Sequence, residues 1–286
     1  MSAGLNRTQI AAAFEAACLA ELDAMKPGNA HRVAGGHRLE IAQFEQSAAA
    51  AAPYIADIGL GVGARIREAV EATARAVKTN TNLGILLLCA PLAVASQSGR
   101  DSTLEHRTAA VLASLTVADA VDAYAGIRAA EAGGLGRAEE QDIAGEPSVT
   151  LLEAMRAAED RDRIAWNYTH GLADIFGFGL AELHAAEQRL GETPWAITLL
   201  YLGFFCRLPD TLIARKFGTP AAETVRAEAA TVAVALKTAA DPTLVMPELL
   251  AFDARLKARR FNPGTSADLT VATVFARRLQ QLESAE

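Results

Sequence analysis

Lys78-Thr79-Asn80-Thr81-Asn82-Leu83-Gly84, running straight into Ile85-Leu86-Leu87-Leu88-Cys89-Ala90-Pro91-Leu92-Ala93-Val94-Ala95, is the stretch that decides the fold. The second part is apolar on every side when wound at helical pitch, which is the pattern of a buried helix. The first part is unusually polar for the entrance to a core. A helix start presents unpaired N–H groups and the positive end of the helix dipole, a natural seat for phosphate. One capping residue would satisfy such an end. Four polar residues exceed what capping needs.

Working outward, three more polar islands interrupt an alanine-rich chain: Lys26-Pro27-Gly28-Asn29, Gly133-Gly134-Leu135-Gly136 with Gln141-Asp142, and Asn262-Pro263-Gly264-Thr265-Ser266-Ala267-Asp268. Between them the apolar spacing is helical. Thr8 is placed to cap a helix running to Met25, and Glu40–Ile58 and Gly63–Lys78 read as two more. Ser102 with Glu105 forms a capping-box pattern opening a long helix to Ala130. Another long helix is expected from Thr150 to Phe176. Thr193-Pro194 and Thr219-Pro220 read as caps with a first-turn proline. No alternating strand pattern, repeat or low-complexity linker is present. The expectation is all-α: a single-domain helical bundle, residues 1–286, of roughly ten or more helices.

Composition agrees. The chain has 286 residues, enough for a substantial core. It is 51% hydrophobic with only 6% aromatic residues, which favours alanine and leucine helix packing over a β-sandwich. A net charge of −7 argues against nucleic acid or a membrane surface as partner. Cys18, Cys89 and Cys206 lie far apart in apolar stretches without metal spacing and read as reduced core thiols. Met1–Ile10 lacks a signal-peptide apolar region, and Leu83–Ala95 is too short to span a bilayer, so a cytoplasmic location is expected.

Each island carries a functional and a bland reading. Lys26, His31, Arg32 and His37 gather cations and imidazoles around Gly28 and Asn29, yet a helix end needs only the Pro and Gly. Gly133-Gly134-Leu135-Gly136 lacks the preceding strand of a dinucleotide fingerprint. Asp142 beside it suits Mg²⁺ ligation or acid–base work as well as a solvated acidic face. Thr265 with Asp268 imitates a capping box. Asp210 can cap a short helix whose end carries Arg215 and Lys216, where cations suit the dipole and also suit a triphosphate. His106, His170 and His184 stand alone and read as structural.

Four of these pieces, in order, resemble the triphosphoribosyl-dephospho-CoA synthase family: Lys26-Pro27-Gly28, Gly36-His37, Asn80-Thr81 with Gly84, and Gly264 with Ser266-Ala267-Asp268-Leu269. The resemblance runs from about Glu21 to Phe275. It implies an all-helical fold and transfer of a 5′-triphosphoribosyl group from ATP to a ribose hydroxyl of 3′-dephospho-CoA with loss of adenine. It further implies phosphate anchoring by Lys26, Arg215 and Lys216, and a lining of Asn80, Thr81 and Asn82. Metal or acid–base work would fall among Glu21, Asp142 and Asp268, with Mg²⁺ bound at Asp142. Gly28, Asn29, His37, Gly84, Asp210, Gly264, Thr265 and Ser266 complete the expected substrate-binding set. Exposed alanine-rich faces admit a homodimer.

The chain departs from the usual family motif at one seat. Where the family typically reads Asn-Thr-His-Lys-Gly, this sequence has Asn82 and Leu83 in place of the His and Lys, and Met25 replaces a proline. Losing that Lys removes a charge-assisted contact worth about 1.5–3 kcal/mol. The variant looks like a divergent branch of methanogens and methylotrophs, sharing Pro209-Asp210-Thr211-Leu212 and Arg215-Lys216. Two alternatives follow from this. One is a phosphoribosyltransferase using phosphoribosyl pyrophosphate and a ribitol-bearing pterin in tetrahydromethanopterin synthesis. The other is a non-catalytic nucleotide-binding regulator.

Overall fold

The structure is a computed structural model that describes residues 4–33, 38–79, 81–130, 143 and 145–285. Its first half comprises α1 (Arg7–Asp23), α2 (Arg38–Ile55), α3 (Val62–Val77), α4 (Leu83–Gln97), α5 (Leu104–Ala113), α6 (Val117–Ala129) and α7 (Leu151–Arg156). The second half comprises α8 (Arg163–Thr169), α9 (Leu180–Leu190), α10 (Pro194–Arg207), α11 (Thr211–Phe217), α12 (Thr219–Thr238), α13 (Met246–Ala258) and α14 (Gly264–Ala285). No strand occurs among the described residues. The protein is all-α.

The apolar run that decides the fold becomes α4, with every residue from Ile85 to Ala93 buried. It packs against α3, α5 and α14, so the all-round greasy pattern has its cause in central placement. Pro91 sits inside this helix. A proline there cannot donate to the carbonyl four residues back. That carbonyl, of Leu87, instead accepts a hydrogen bond from the Tyr168 hydroxyl at 2.7 Å. The second long helix of the core is α14, where Phe275 meets Phe14 of α1 edge-on with ring centroids 5.8 Å apart.

Several boundaries differ from the sequence expectation, four of them where a local polar bond wins over apolar period. Asn6, not Thr8, caps α1, with Gln9 completing the capping box. Thr103, not Ser102, caps α5 through the His106 N–H. The long helix expected to reach Ala130 breaks at Ser114–Thr116 and bends by 95°, because Thr116 and Asp119 form a second capping box. The helix expected from Thr150 to Phe176 is α7, then α8, then a π-helical turn Asp174–Gly179. Asp162 caps α8 by accepting from the Ile164 and Ala165 N–H groups. Gly218, with φ 91°, precedes α12, so Thr219 is its first residue rather than its cap. The last helix starts at Gly264, which leaves Thr265 and Asp268 inside it with no capping box between them.

Candidate functional site

A cleft of about 1220 Å³ lies at the α4 N-terminus, lined by residues of α3, α6, α7, α8, α11 and the start of α14. It gathers three of the four polar islands although they lie far apart in sequence. Glu21, Asn29, Thr81, Asn82, Gly84, Arg215, Lys216, Gly264, Thr265 and Asp268 line it. Lys26, Gly28, Asp210 and Ser266 lie behind its wall. His37, Asn80 and Asp142 lie outside the described residues.

The Lys26-Pro27-Gly28-Asn29 turn is tied at every residue. Lys26 is fully buried, and its ammonium donates to the Glu21 carboxylate and, at 3.1 Å, to Asn29 Oδ1. The Pro27 carbonyl accepts from the Tyr201 hydroxyl at 2.7 Å. The Gly28 N–H donates to Asp253 Oδ1 at 2.8 Å. Gly28 has φ 84°, and a Cβ there would come within 2.9 Å of Leu256 and Pro263 side-chain carbons, so both backbone shape and space demand glycine. Asn29 Nδ2 donates to Asn262 Oδ1 at 2.7 Å, joining this turn to the entrance of α14.

The α4 entrance is also braced from outside. Thr81 Oγ1 bonds to Ser47 Oγ of α2 at 2.6 Å, and Asn82 Nδ2 donates to Thr73 Oγ1 of α3 at 3.1 Å. Asn82 makes no side-chain cap bond to its own helix. Leu83, where the usual family motif has lysine, lines the cleft beside Gly84. The side-chain polarity of this island is therefore partly spent on helix–helix contacts that a sequence pattern does not reveal.

Asp210 joins α11 to α14. One carboxylate oxygen accepts the Leu212 and Ile213 N–H groups at 3.0 and 3.3 Å, and the other accepts the Ser266 N–H and hydroxyl at 2.8 and 2.9 Å. Thr211 and Thr265 hydroxyls meet beside them at 3.0 Å. Arg215 and Lys216 of α11 line the same cleft as Asp268 of α14. Arg215 also reaches Asp162 Oδ2 at 3.3 Å. Asp162 and Arg163, both cleft residues, were not legible as site residues, because they fall inside the single helix expected from Thr150 to Phe176. The signal was Asp162 itself, a capping residue type inside an apparent helix. Arg163 is held by the buried Asp174 through two bonds of 2.7 and 2.9 Å.

The carboxylates form the electrostatic centre. Burial pushes Asp268 well above the ordinary carboxylate range, the negative charges of Asp210, Glu21 and Asp162 raise it further, and Lys26 pulls it back only in part. Glu21 is raised by burial and partly restored by Lys26, whose own pKa burial lowers. Burial raises Asp210 too, against the four hydrogen bonds it accepts. No hydrogen bond to the Asp268 carboxylate is present among the described residues, although it faces the cleft at the Gly84 backbone. A carboxylate crowded by like charge and lacking a donor is a site prepared for a proton or a cation.

Residues 7–286 match the family described as ATP:dephospho-CoA triphosphoribosyl transferase (CitG). The chain belongs to that family. It is therefore one of a family of transferases whose substrates are small phosphorylated molecules. Among solved structures, a candidate triphosphoribosyl-dephospho-CoA synthase from Archaeoglobus fulgidus is similar in fold, with TM-score 0.62 and 24% identity over 80% of this chain and 95% of that one. A comparison with curated proteins gives no match. Among the described residues, no single helix is long and apolar enough to cross a membrane.

Proposed function

We propose that the cleft transfers a 5′-triphosphoribosyl group from ATP to a ribose hydroxyl of 3′-dephospho-CoA, a pentosyl transfer that releases adenine. The observation that carries this reading is the convergence of Glu21 and Asp268 with Arg215 and Lys216 in one cleft, in a chain matched to the family over residues 7–286. A single small ligand typically fills about 300–1,000 Å³. A cleft of 1220 Å³ leaves room for two nucleotides together. The one continuous buried core supports reading the chain as one domain.

In the reaction the acceptor oxygen bonds to C1′ as the C1′–N9 bond to adenine breaks, and the hydroxyl proton must leave while adenine must gain one. Positive charge develops on the ribose ring in between. The Glu21 carboxylate offers fixed negative charge to that ring, the electrostatic help that counts most in a water-poor site. Asp268, made a stronger base by its surroundings, is suited to take the hydroxyl proton. Arg215, Lys216 and Lys78, the last also a cleft residue, supply cations for the triphosphate.

Mg²⁺ fits this arrangement as a passenger of the nucleotide. No cluster of three or more metal-ligating side chains exists among the described residues. Asp268 lines the same cleft as Arg215 and Lys216 and, when ionised, offers acceptor oxygens, and magnesium commonly takes one or two carboxylates plus phosphate oxygens. Bound there, it would neutralise phosphate charge. No described feature favours the ribitol-bearing pterin acceptor or a non-catalytic role.

The test is incubation with ATP, 3′-dephospho-CoA and Mg²⁺, followed by chromatography for free adenine. Adenine that forms only when both substrates are present supports the reading. ATP binding with no adenine, under conditions where both substrates bind, overturns it.

A further inference from the structure

Lys26 looks from sequence like a cation awaiting phosphate, and the structure gives it a different setting. Its side chain is fully buried and absent from the cleft lining. Among the described residues its ammonium donates to Glu21 and Asn29, and both of those residues do line the cleft. The surrounding turn cannot swing it outward. The Pro27 carbonyl is held by Tyr201, the Gly28 N–H by Asp253, and Gly28 is packed against Leu256 and Pro263. Asn29 passes the restraint on to Asn262, next to the helix that carries Asp268. A long, flexible cation is thus locked in the one position from which it orients two cleft groups at once.

We infer that Lys26 is a positioning residue that serves the reaction only through Glu21 and Asn29 and touches no phosphate itself. This rests on the transfer reading above for its catalytic consequence, but the placement of Lys26 can be tested without turnover. A carboxylate shifted by about an ångström loses on the order of 10²-fold in rate. Removing one member of a buried ion pair is strongly destabilising, whereas replacing both by neutral groups of similar size is often tolerated.

The experiment is a cycle of Lys26→Met, Glu21→Gln and the double variant, with Lys26→Arg alongside. Three quantities are read: melting temperature, Kd for tripolyphosphate with Mg²⁺, and kcat with KM for ATP. The expected result is that Lys26→Met loses about 10²-fold in kcat. Its Kd for tripolyphosphate should stay within about threefold of wild type, because no phosphate contact is removed. The double variant should be no slower than Glu21→Gln alone and should melt above Lys26→Met. Lys26→Arg should be slow as well, since the fork cannot occupy a point-charge site. A Kd raised about tenfold or more by Lys26→Met overturns the inference, because a lost phosphate contact has that signature. Losses in kcat that multiply in the double variant also overturn it. Should Lys26→Met fail to fold, the double variant compared with Glu21→Gln still decides. If wild type shows no adenine release, the transfer reading fails separately, and the melting and tripolyphosphate arms still say whether Lys26 meets phosphate.

Discussion

Gly84 and Asp268 meet so closely that a Cβ on Gly84 would lie 2.0 Å from Asp268 Oδ2 and 2.5 Å from its Cγ. The backbone at the α4 entrance therefore shapes the pocket in which that carboxylate stands. Gly84→Ala cannot be accommodated without moving Asp268, and the Ile164 side chain at 2.8 Å closes the other route. The carboxylate is the end of a side chain and can turn aside, and alanine is the better helix former, so stability should change little. Rate should fall by on the order of 10²-fold, since the displaced group is the reacting one. Steady-state kinetics with a melting curve checks both halves. A Gly84→Ala enzyme with wild-type kcat would remove Asp268 from the chemistry.

Asp268 should also leave a mark on stability in the ligand-free, metal-free protein. Its folded pKa lies well above the ordinary value through burial first and then neighbouring carboxylates. For a raised group, the stability it contributes is full below the unfolded pKa and is lost as pH rises through the folded one. Neutral and alkaline solution thus carry the cost of an ionised Asp268. Asp268→Asn should melt higher than wild type at pH 8, with the difference shrinking as pH falls toward the ordinary carboxylate range, while activity collapses. Stability gained where function is lost is the mark of a residue kept for chemistry. A difference that is negative at pH 8, or flat across the range, would falsify the assignment.

The sequence made the helical class, the buried α4 and several helix starts readable, because apolar period and caps are local signals. Its failures were at Asn6, Thr103, Thr116 and Asp162, where a capping residue competes with an apparent continuous period. The site was half legible. Asn82 and Asp268 stand in polar islands and Glu21 and Gly84 entered through the family resemblance, but Thr73 and Asp253 are recruited from other helices and carry no local mark. Lys26 shows the limit most clearly. Its residue type and turn suggest anion binding, and only the third dimension shows Glu21 already there.

Asp210 offers a prediction on the architecture itself. Sequence marks it as a cap for α11, and the structure adds the tether to Ser266 of α14. Asp210→Ala removes a cap and strands the Ser266 donors in a buried place, a loss of about 2–4 kcal/mol. For a chain of this size the melting temperature should drop by roughly 3–7 °C. Ser266→Ala should cost less, about 1 kcal/mol, because the backbone N–H bond to Asp210 survives. Calorimetry of the two variants checks the ranking. Equal melting temperatures for wild type and Asp210→Ala would mean that α11 is not held this way.

Arg215 and Lys216 should separate by kind of contact. Arg215 is half-buried and already faces Asp162, while Lys216 is exposed on the cleft rim with no ion pair among the described residues. Lys216→Met should weaken tripolyphosphate binding by about tenfold, the worth of one charge-assisted contact, and should lower the sensitivity of Kd to salt. Arg215→Met should weaken binding more, because it also leaves the Asp162 charge facing the phosphates. The double change Arg215→Met with Asp162→Asn should then recover part of that extra loss. Titration of tripolyphosphate at two salt concentrations across the four proteins gives the answer. If neither cation affects Kd, the triphosphate lies elsewhere in the cleft, and Lys78, another cation of its lining, becomes the anchor to test.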